Sequence, residues 1–444
     1  MTQVLLRLFS ASPAMGRLSN PKTLFPLICC DHSSVHLNPI RCYRFTPQMS
    51  STDHHFSEPI EPFTPKRALV LTKFSRYEFE KKRNPDLSEE QLITSLESRG
   101  SDYKRLISHH NIHKQSQDHI TQCLKASGIE TKVVNRTEYT DKNIEWADLI
   151  ITSGGDGTFL MAASKVNNRN KPLIGVNSDP QRSVGHLCLP KRYSNNFGEA
   201  LRLLSDGHFK WKYRQRIRVI LESENANEEP LELHEQQLKC LENRFLDLES
   251  SQDSKDTKCV RNAKTVKKVL PFKALNEVFV GETISSRVSY YEFSVNDKTR
   301  AKLKSSGLTV CTGTGSTSWF FNINKVTPQC VQSLFQIINT EMNGQTLPEN
   351  DTKAIERVTE KFNNSLIFDP SEPLMAYVIR DPVVFGTEFQ SNPRGFAKTI
   401  SLKSRMTDAN IVIDGGLSYK FNDGAKVTFA ILEEDALRTV SLKE

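Results

Sequence analysis

The stretch LIITSGGDGTFLMAA, residues 149–163, carries an apolar, β-branched run into Gly154, Gly155, Asp156, Gly157 and Thr158 before apolar spacing resumes. Glycines at a strand end let the backbone turn tightly and lie close to a ligand. The first turn of a following helix offers free N–H groups and a positive dipole end to an anion. Gly154, Gly155, Gly157 and Thr158 can therefore line a phosphate site. Asp156 is the exception, because a carboxylate beside phosphate is repelled unless a cation or a hydroxyl donor lies between them. Phosphoryl transfer meets both conditions: an Asp orients an alcohol and accepts its proton, while Mg²⁺ neutralises the phosphates. The structural alternative is a plain strand-to-helix turn with Asp156 as its N-cap. The succession of strand, GGDGT and apolar helix favours the phosphate chemistry. The pattern G-x-x-x-x-G-K-[ST] is absent, and so are the tandem copies that a glycine–aspartate calcium repeat needs.

The elements around this motif are short. RALVLTKF reads as a buried strand and marks the start of folded sequence near Lys66. In the polar segment 75–114, Ser88 and Gln91 are spaced as a capping box ahead of a helix. QDHITQCLKASG predicts an amphipathic helix ending at Gly128, followed by strands in IETKVV and DLIIT, a helix in GTFLMAASKV and a strand in PLIGVN. That alternation predicts a mostly parallel sheet with helices on both faces. In such a sheet ligands sit at the carboxyl ends of strands, which is where GGDGT falls. From about residue 215 the pattern changes to short, often alternating segments: RIRVILE, ALNEVFVGE, SYYEFSV, GLTVCT, MAYVIR, AKTISLKS, NIVIDG and KVTFAI. These predict a mostly antiparallel β domain. Residues 222–268, rich in Glu, Lys, Asp and Ser, read as a solvated insertion. Residues 325–365 read as helical with an Asn343–Gly344 break.

The 444 residues suffice for two domains with extras, and the net charge of +7 is modest. No apolar run of membrane-spanning length and no basic stripe interleaved with aromatics occurs, so neither a membrane nor a nucleic-acid partner is expected. The nine cysteines include no C-x-x-C pair and read as reduced intracellular thiols. The leader, with Arg7, Arg17, Lys22, Arg41 and Arg44 and no acidic residue before Asp31, has the composition of a mitochondrial presequence. HHNIH, residues 109–113, has spacing compatible with a metal, but no Cys or carboxylate completes it nearby, so it reads as a solvated helix face. No residue is assigned as a metal ligand.

GGDGT resembles the signature shared by NAD kinases, diacylglycerol and sphingosine kinases, and phosphofructokinases. PLIGVNSDPQRSVGHLCLP, the Asn276–Glu277 pair in ALNEVFVGE, CTGTGSTSW at 311–319 and IVIDGG at 411–416 resemble, in order, further segments of the NAD kinase family. The similarity runs from about Arg67 to the C-terminus, and the leader and inserts resemble those of its animal mitochondrial members. Taken alone, Asn276–Glu277 could end a strand, TGTGST could be a glycine-rich turn, and Asp414-Gly-Gly and Asn422-Asp-Gly read as hairpin turns.

The resemblance implies a Rossmann-like parallel α/β domain followed by a mostly antiparallel β-sandwich domain, with the active site between them. The expected boundaries are a leader at 1–60, the α/β domain at 66–212, the NAD-binding β domain at 213–410, and a segment at 411–444 returning to the first domain. It implies transfer of the γ-phosphoryl of ATP, or of a polyphosphate end, to the 2′-hydroxyl of the adenosine ribose of NAD, with Mg²⁺ between donor phosphates. Asp156 would receive the hydroxyl proton, and Asn276 and Glu277 would hold ribose hydroxyls. Gly315, Ser316, Thr317, Ser318, Trp319 and Asp414 would contribute to the NAD site, with Trp319 as a stacking face. Lys73, Arg182 and Lys325 are candidates for phosphate neutralisation. A mitochondrial matrix location and a homodimer are expected. The chain departs from the family at Ser318–Trp319, where Ala-Tyr is usual, in FFNIN, where a Gly pair is usual, and at His186, where Phe is usual. A lipid kinase sharing GGDGT and a nucleotide sensor without turnover are the rival readings.

Overall fold

The structure is a computed structural model that describes residues 61–233, 265–298, 300–341, 347–383 and 392–443. The leader, most of the expected insertion and the Asn343–Gly344 break lie outside the described residues.

The first half is built on four parallel strands, β1 (Arg67–Thr72), β2 (Glu130–Val134), β3 (Leu149–Gly154) and β4 (Leu173–Asn177), in the order β2-β1-β3-β4. β3 and β4 are buried along their whole length, as near-continuous apolar strands covered on both faces must be. Helices Tyr103–Ala126, Asp156–Lys165 and Phe197–Ser205 supply the cover. Capping boxes start the helices at both Ser75 and Ser88. The helix expected at QDHITQCLKASG begins much earlier, at Tyr103, because Asp102 accepts the Arg105 N–H as its N-cap.

β5 (Lys210–Arg214) leads into the second half and runs across the expected boundary at 212/213. Two sheets follow. One has the order β11-β10-β15-β18-β6-β8, built from β6 (Ile217–Ser223), β8 (Val266–Val269), β10 (Ser289–Val295), β11 (Ala301–Ser305), β15 (Thr399–Ser404) and β18 (Lys426–Ile431). The other has the order β14-β13-β12-β9-β16-β17-β7, built from β7 (Leu231–Glu232), β9 (Glu277–Glu282), β12 (Leu308–Cys311), β13 (Met375–Ile379), β14 (Arg394–Ala397), β16 (Ala409–Ile413) and β17 (Leu417–Lys420). Alternate residues of β6, β15, β16 and β18 point inward, and the inward sets of both sheets form one core that includes Val219, Val280, Phe293, Val310 and Phe429. This is a β-sandwich. The expected insertion 222–268 is narrower at both ends, since β6 runs to Ser223 and pairs with β8. Helices Pro328–Glu341 and Thr352–Asn364 occupy the segment expected to be helical.

The halves are joined by the C-terminus. β19 (Leu437–Ser441) pairs with β5, and Leu437 and Leu442 pack into the two apolar clusters flanking the parallel sheet. Leu275, just before β9, enters the same cluster as Phe159 and Ala162 of the GGDGT helix. The carboxyl ends of the parallel strands are thereby set against one end of the sandwich.

Candidate active site

Gly154 is the last residue of β3, and a Cβ there would collide with the Thr158 side chain, so glycine is what allows the helix to begin directly beneath the strand. Gly155 is the N-cap, and no side chain caps this helix. Asp156 is therefore not the N-cap of the structural alternative. Its Oδ1 accepts the Leu187 N–H at 2.8 Å and its Oδ2 accepts the His186 N–H at 3.1 Å, both from the loop after β4. An ionised carboxylate has about four acceptor sites, so the two backbone bonds orient Asp156 and leave it able to accept from a hydroxyl. Position 157 opens onto free space, with nothing within 4 Å of a Cβ built there.

The loop after β4 is wound around Asn177, whose amide donates to the Ser183 carbonyl at 2.8 Å while its Oδ1 accepts the Asp179 N–H. Here the structure corrects the reading of HHNIH as a solvated face. His113 is buried with Nδ1 2.7 Å from Ser178 Oγ, His109 Nδ1 lies 3.1 Å from Asp179, and His110 Nδ1 lies 2.9 Å from Ser75 Oγ. Burial, reinforced by the Lys73 charge, holds the His113 imidazole down at about 4, so it is neutral near pH 7. Lys73, at the end of β1, is held below its usual value by burial and then by Arg182, against the pull of Asp179. Lys73 and Arg182 thus stand close together where the strands end. Lys325 follows the short helix that Trp319 opens, exposed, with its Nζ donating to Asn322.

In the second half, Asn276 and Glu277 open β9. Asn276 Nδ2 donates to Ser318 Oγ at 3.2 Å, while Asn276 Oδ1 and Glu277 Oε2 are buried acceptors with no donor among the described residues. Burial and then the neighbouring Asp414 push the Glu277 carboxyl up to about 8. Asp414 occupies the β16–β17 hairpin turn with positive φ, followed by Gly415, also positive. Its carboxylate accepts the N–H groups of Leu275, Asn276 and Glu277 at 2.8 to 3.0 Å. Asp414 accordingly positions the Asn276–Glu277 backbone. The TGTGST loop is stitched to the same backbone, with Thr312 donating to the Leu275 carbonyl. A Cβ at Gly315 would run into the Asn276 carbonyl. Ser316 is fully buried, its hydroxyl donating to Gly313 and accepting from Phe368, so its side chain is structural. Thr317 donates to Thr314. Trp319 is 37% exposed, edge-on to Phe279 with Arg380 over its ring.

The sequence reading missed the basic residues at the joint. Arg216, fully buried, donates from Nη1 to the carbonyls of Ala163 and Val166 at the C-terminal end of the GGDGT helix, and from Nε to the Asp435 carbonyl. It so anchors the far end of the helix that presents Asp156. Arg214 donates to Thr314 Oγ1 at 3.3 Å and is near enough to Asp369 and Asp156 to feel both charges. The available signal was the run Arg214-Gln-Arg216-Ile-Arg218, unusually basic for a segment entering a core. Among the described residues no group of three or more His, Cys, Asp or Glu side chains is arranged to hold a metal ion. The expected Mg²⁺ would therefore be held chiefly by the donor phosphates rather than by a cage of protein ligands.

The parallel sheet thus contributes a carboxylate at a glycine-rich strand end, and the sandwich contributes two buried acceptors that open β9 and a half-exposed tryptophan face. Residues 85–209 match the ATP-NAD kinase N-terminal domain. Over 385 residues the chain is 46% identical to NAD kinase 2, mitochondrial, of Rattus norvegicus, an alignment covering 86% of this chain and 89% of that one. It is also 46% identical over 385 residues to the protein of that name from Homo sapiens, covering 86% and 85%, and 43% identical over 404 residues to that from Xenopus tropicalis, covering 86% and 92%. The chain belongs to the NAD kinase family, and it is a phosphotransferase acting on an alcohol group. The lipid-kinase reading is set aside.

Proposed function

We propose that the junction transfers the γ-phosphoryl of ATP, or the terminal phosphoryl of polyphosphate, to the 2′-hydroxyl of the adenosine ribose of NAD. The 2′-oxygen attacks the terminal phosphorus as the bond to the bridging oxygen breaks, its electron pair leaving with the diphosphate product. The hydroxyl proton passes to Asp156. Asn276 Oδ1 takes a hydrogen bond from the ribose and Glu277, protonated near pH 7, exchanges one with it, which fixes the angle of attack. Lys73 and Arg182 face donor phosphate, Gly155 and Gly157 let it approach, and Thr317, Ser318 and Trp319 border the nucleoside. Mg²⁺ would supply charge neutralisation at the donor phosphates. The names of the relatives and the basic, acid-poor leader support a mitochondrial matrix location, and the assembly proposed is a homodimer.

One observation carries the ribose assignment: two buried acceptors, Asn276 Oδ1 and Glu277 Oε2, lack donors. Unpaired buried polar atoms are costly, so two of them on consecutive residues call for a ligand that brings donors such as hydroxyls. Steady-state kinetics of Asn276→Ala test it. The NAD KM should rise about tenfold or more with a smaller change in kcat, and an unchanged KM would remove the ribose assignment.

A further inference from the structure

Three arginines alternate across the joint between β5 and β6, and two of them are engaged by the protein itself. Arg218 is ion-paired with Asp435 and Glu434. Arg216 has no carboxylate at ion-pair distance among the described residues and its Nη2 is unpartnered, but three backbone carbonyls engage its other nitrogens and give it a structural place. Arg214 differs. Its one hydrogen bond is the 3.3 Å contact from Nη1 to Thr314 Oγ1, its Nε is buried without a partner, and no carboxylate among the described residues lies within ion-pair distance. Two residues earlier on the same strand stands Lys212, held below its usual value by burial and then by the Arg214 charge, with only Asp369 opposing. Two cations crowded on one strand face, both desolvated, repel each other unless an anion comes between them. A half-buried guanidinium whose Nε is enclosed and unpartnered is a candidate for ligand contact.

The position of Arg214 says which anion. Thr314 belongs to the loop stitched to Asn276, and Arg214 is near enough to Asp156 to feel its charge, so the guanidinium neighbours both the proposed ribose site and the proposed proton acceptor. We propose that Arg214 is a catalytic residue, its planar fork donating to the equatorial oxygens of the phosphoryl group in transit between donor and 2′-oxygen. It forms and breaks no covalent bond. Its N–H groups meet the negative charge that spreads over those oxygens as the bridging bond breaks, and Thr314 aims the fork. This rests on Asp156 and Asn276 serving as described above. The other phosphate source in reach, the pyrophosphate of NAD itself, would make Arg214 a substrate-binding residue, and the test separates the two.

The experiment uses the full chain with Arg214→Lys, Arg214→Ala and Thr314→Val, measuring NADP⁺ formation from NAD and ATP, NAD affinity by calorimetry without donor, and rescue of Arg214→Ala by added guanidinium. The expected result is a kcat loss of about a hundredfold or more in both Arg214 variants, NAD affinity within about threefold of wild type, partial recovery with guanidinium, and a smaller kcat loss in Thr314→Val. Unchanged kcat overturns the proposal. So does a loss of NAD affinity matching the loss of rate, which assigns Arg214 to the NAD pyrophosphate, or a loss without rescue. If Arg214→Ala fails to fold, Arg214→Lys decides on the same rate and affinity criteria. An inactive Asp156→Asn beside a fully active Arg214→Lys would sink this proposal alone, whereas a fully active Asp156→Asn would sink the reading beneath it.

Discussion

Asp414 Oδ1 accepts the backbone N–H of Asn276 at 2.8 Å, so a carboxylate in one hairpin turn fixes a residue 138 positions earlier. The same side chain holds Leu275 and Glu277. Asp414→Ala should leave three buried N–H groups without an acceptor and cost about 3 kcal/mol or more of stability, since such bonds to a charged acceptor are the strong kind. NAD affinity should fall with it. Urea unfolding and calorimetry check both, and a variant with wild-type midpoint and affinity would show that the turn does not position the pair.

Glycines on the two sides of the cleft should behave oppositely. At Gly315 a methyl group would drive into the Asn276 carbonyl, backbone against backbone, so Gly315→Ala should lose stability and NAD binding together. Gly157 faces open space at ordinary φ. Gly157→Ala should melt within about 2 °C of wild type, a surface-sized effect, and any loss of rate then reports crowding of the ligand. A Gly157→Ala protein that melts far lower would contradict the open geometry.

Glu277 gives a pH test. Its carboxyl is pushed up to about 8 by burial and Asp414, whereas in the unfolded chain it titrates near 4.3. Below the unfolded value both states are protonated and nothing is lost. As pH rises towards 8 the unfolded chain ionises first, and stability from this group is progressively lost. Glu277→Gln removes the titration, so its stability relative to wild type should grow between about pH 4.5 and 8, by a few kcal/mol at most, then level off. Urea midpoints across that range measure it, and a gap independent of pH would contradict the buried placement.

Strands were the most legible part. LIITSG and LIGVN open on apolar runs and proved buried on both faces, while the period-two alternation of RVILES and KVTFAI marked sandwich strands with one face inward. The helix at Arg76–Arg83 went unread although Ser75 and Glu78 form the same capping box that was recognised at Ser88 and Gln91; its side chains are almost all polar, so no apolar period announced it. Within the site, the turn at Asp414–Gly415 was readable because its backbone needs positive φ. That its carboxylate reaches Asn276, that His113 meets Ser178, and that Arg216 ties down the GGDGT helix depend on contacts between distant segments, which local spacing does not encode.

The most direct test of the account is the rate of NADP⁺ formation by purified Asp156→Asn, measured alongside its NAD affinity. The amide can still accept a backbone N–H but cannot take up a proton. We predict turnover about a hundredfold or more below wild type, with NAD affinity retained and the melting temperature lowered only by the loss of one of the two backbone hydrogen bonds. Turnover close to wild type would mean that the carboxylate serves only to tie the helix to the His186–Leu187 backbone, and the assignment of Asp156 as proton acceptor would fail.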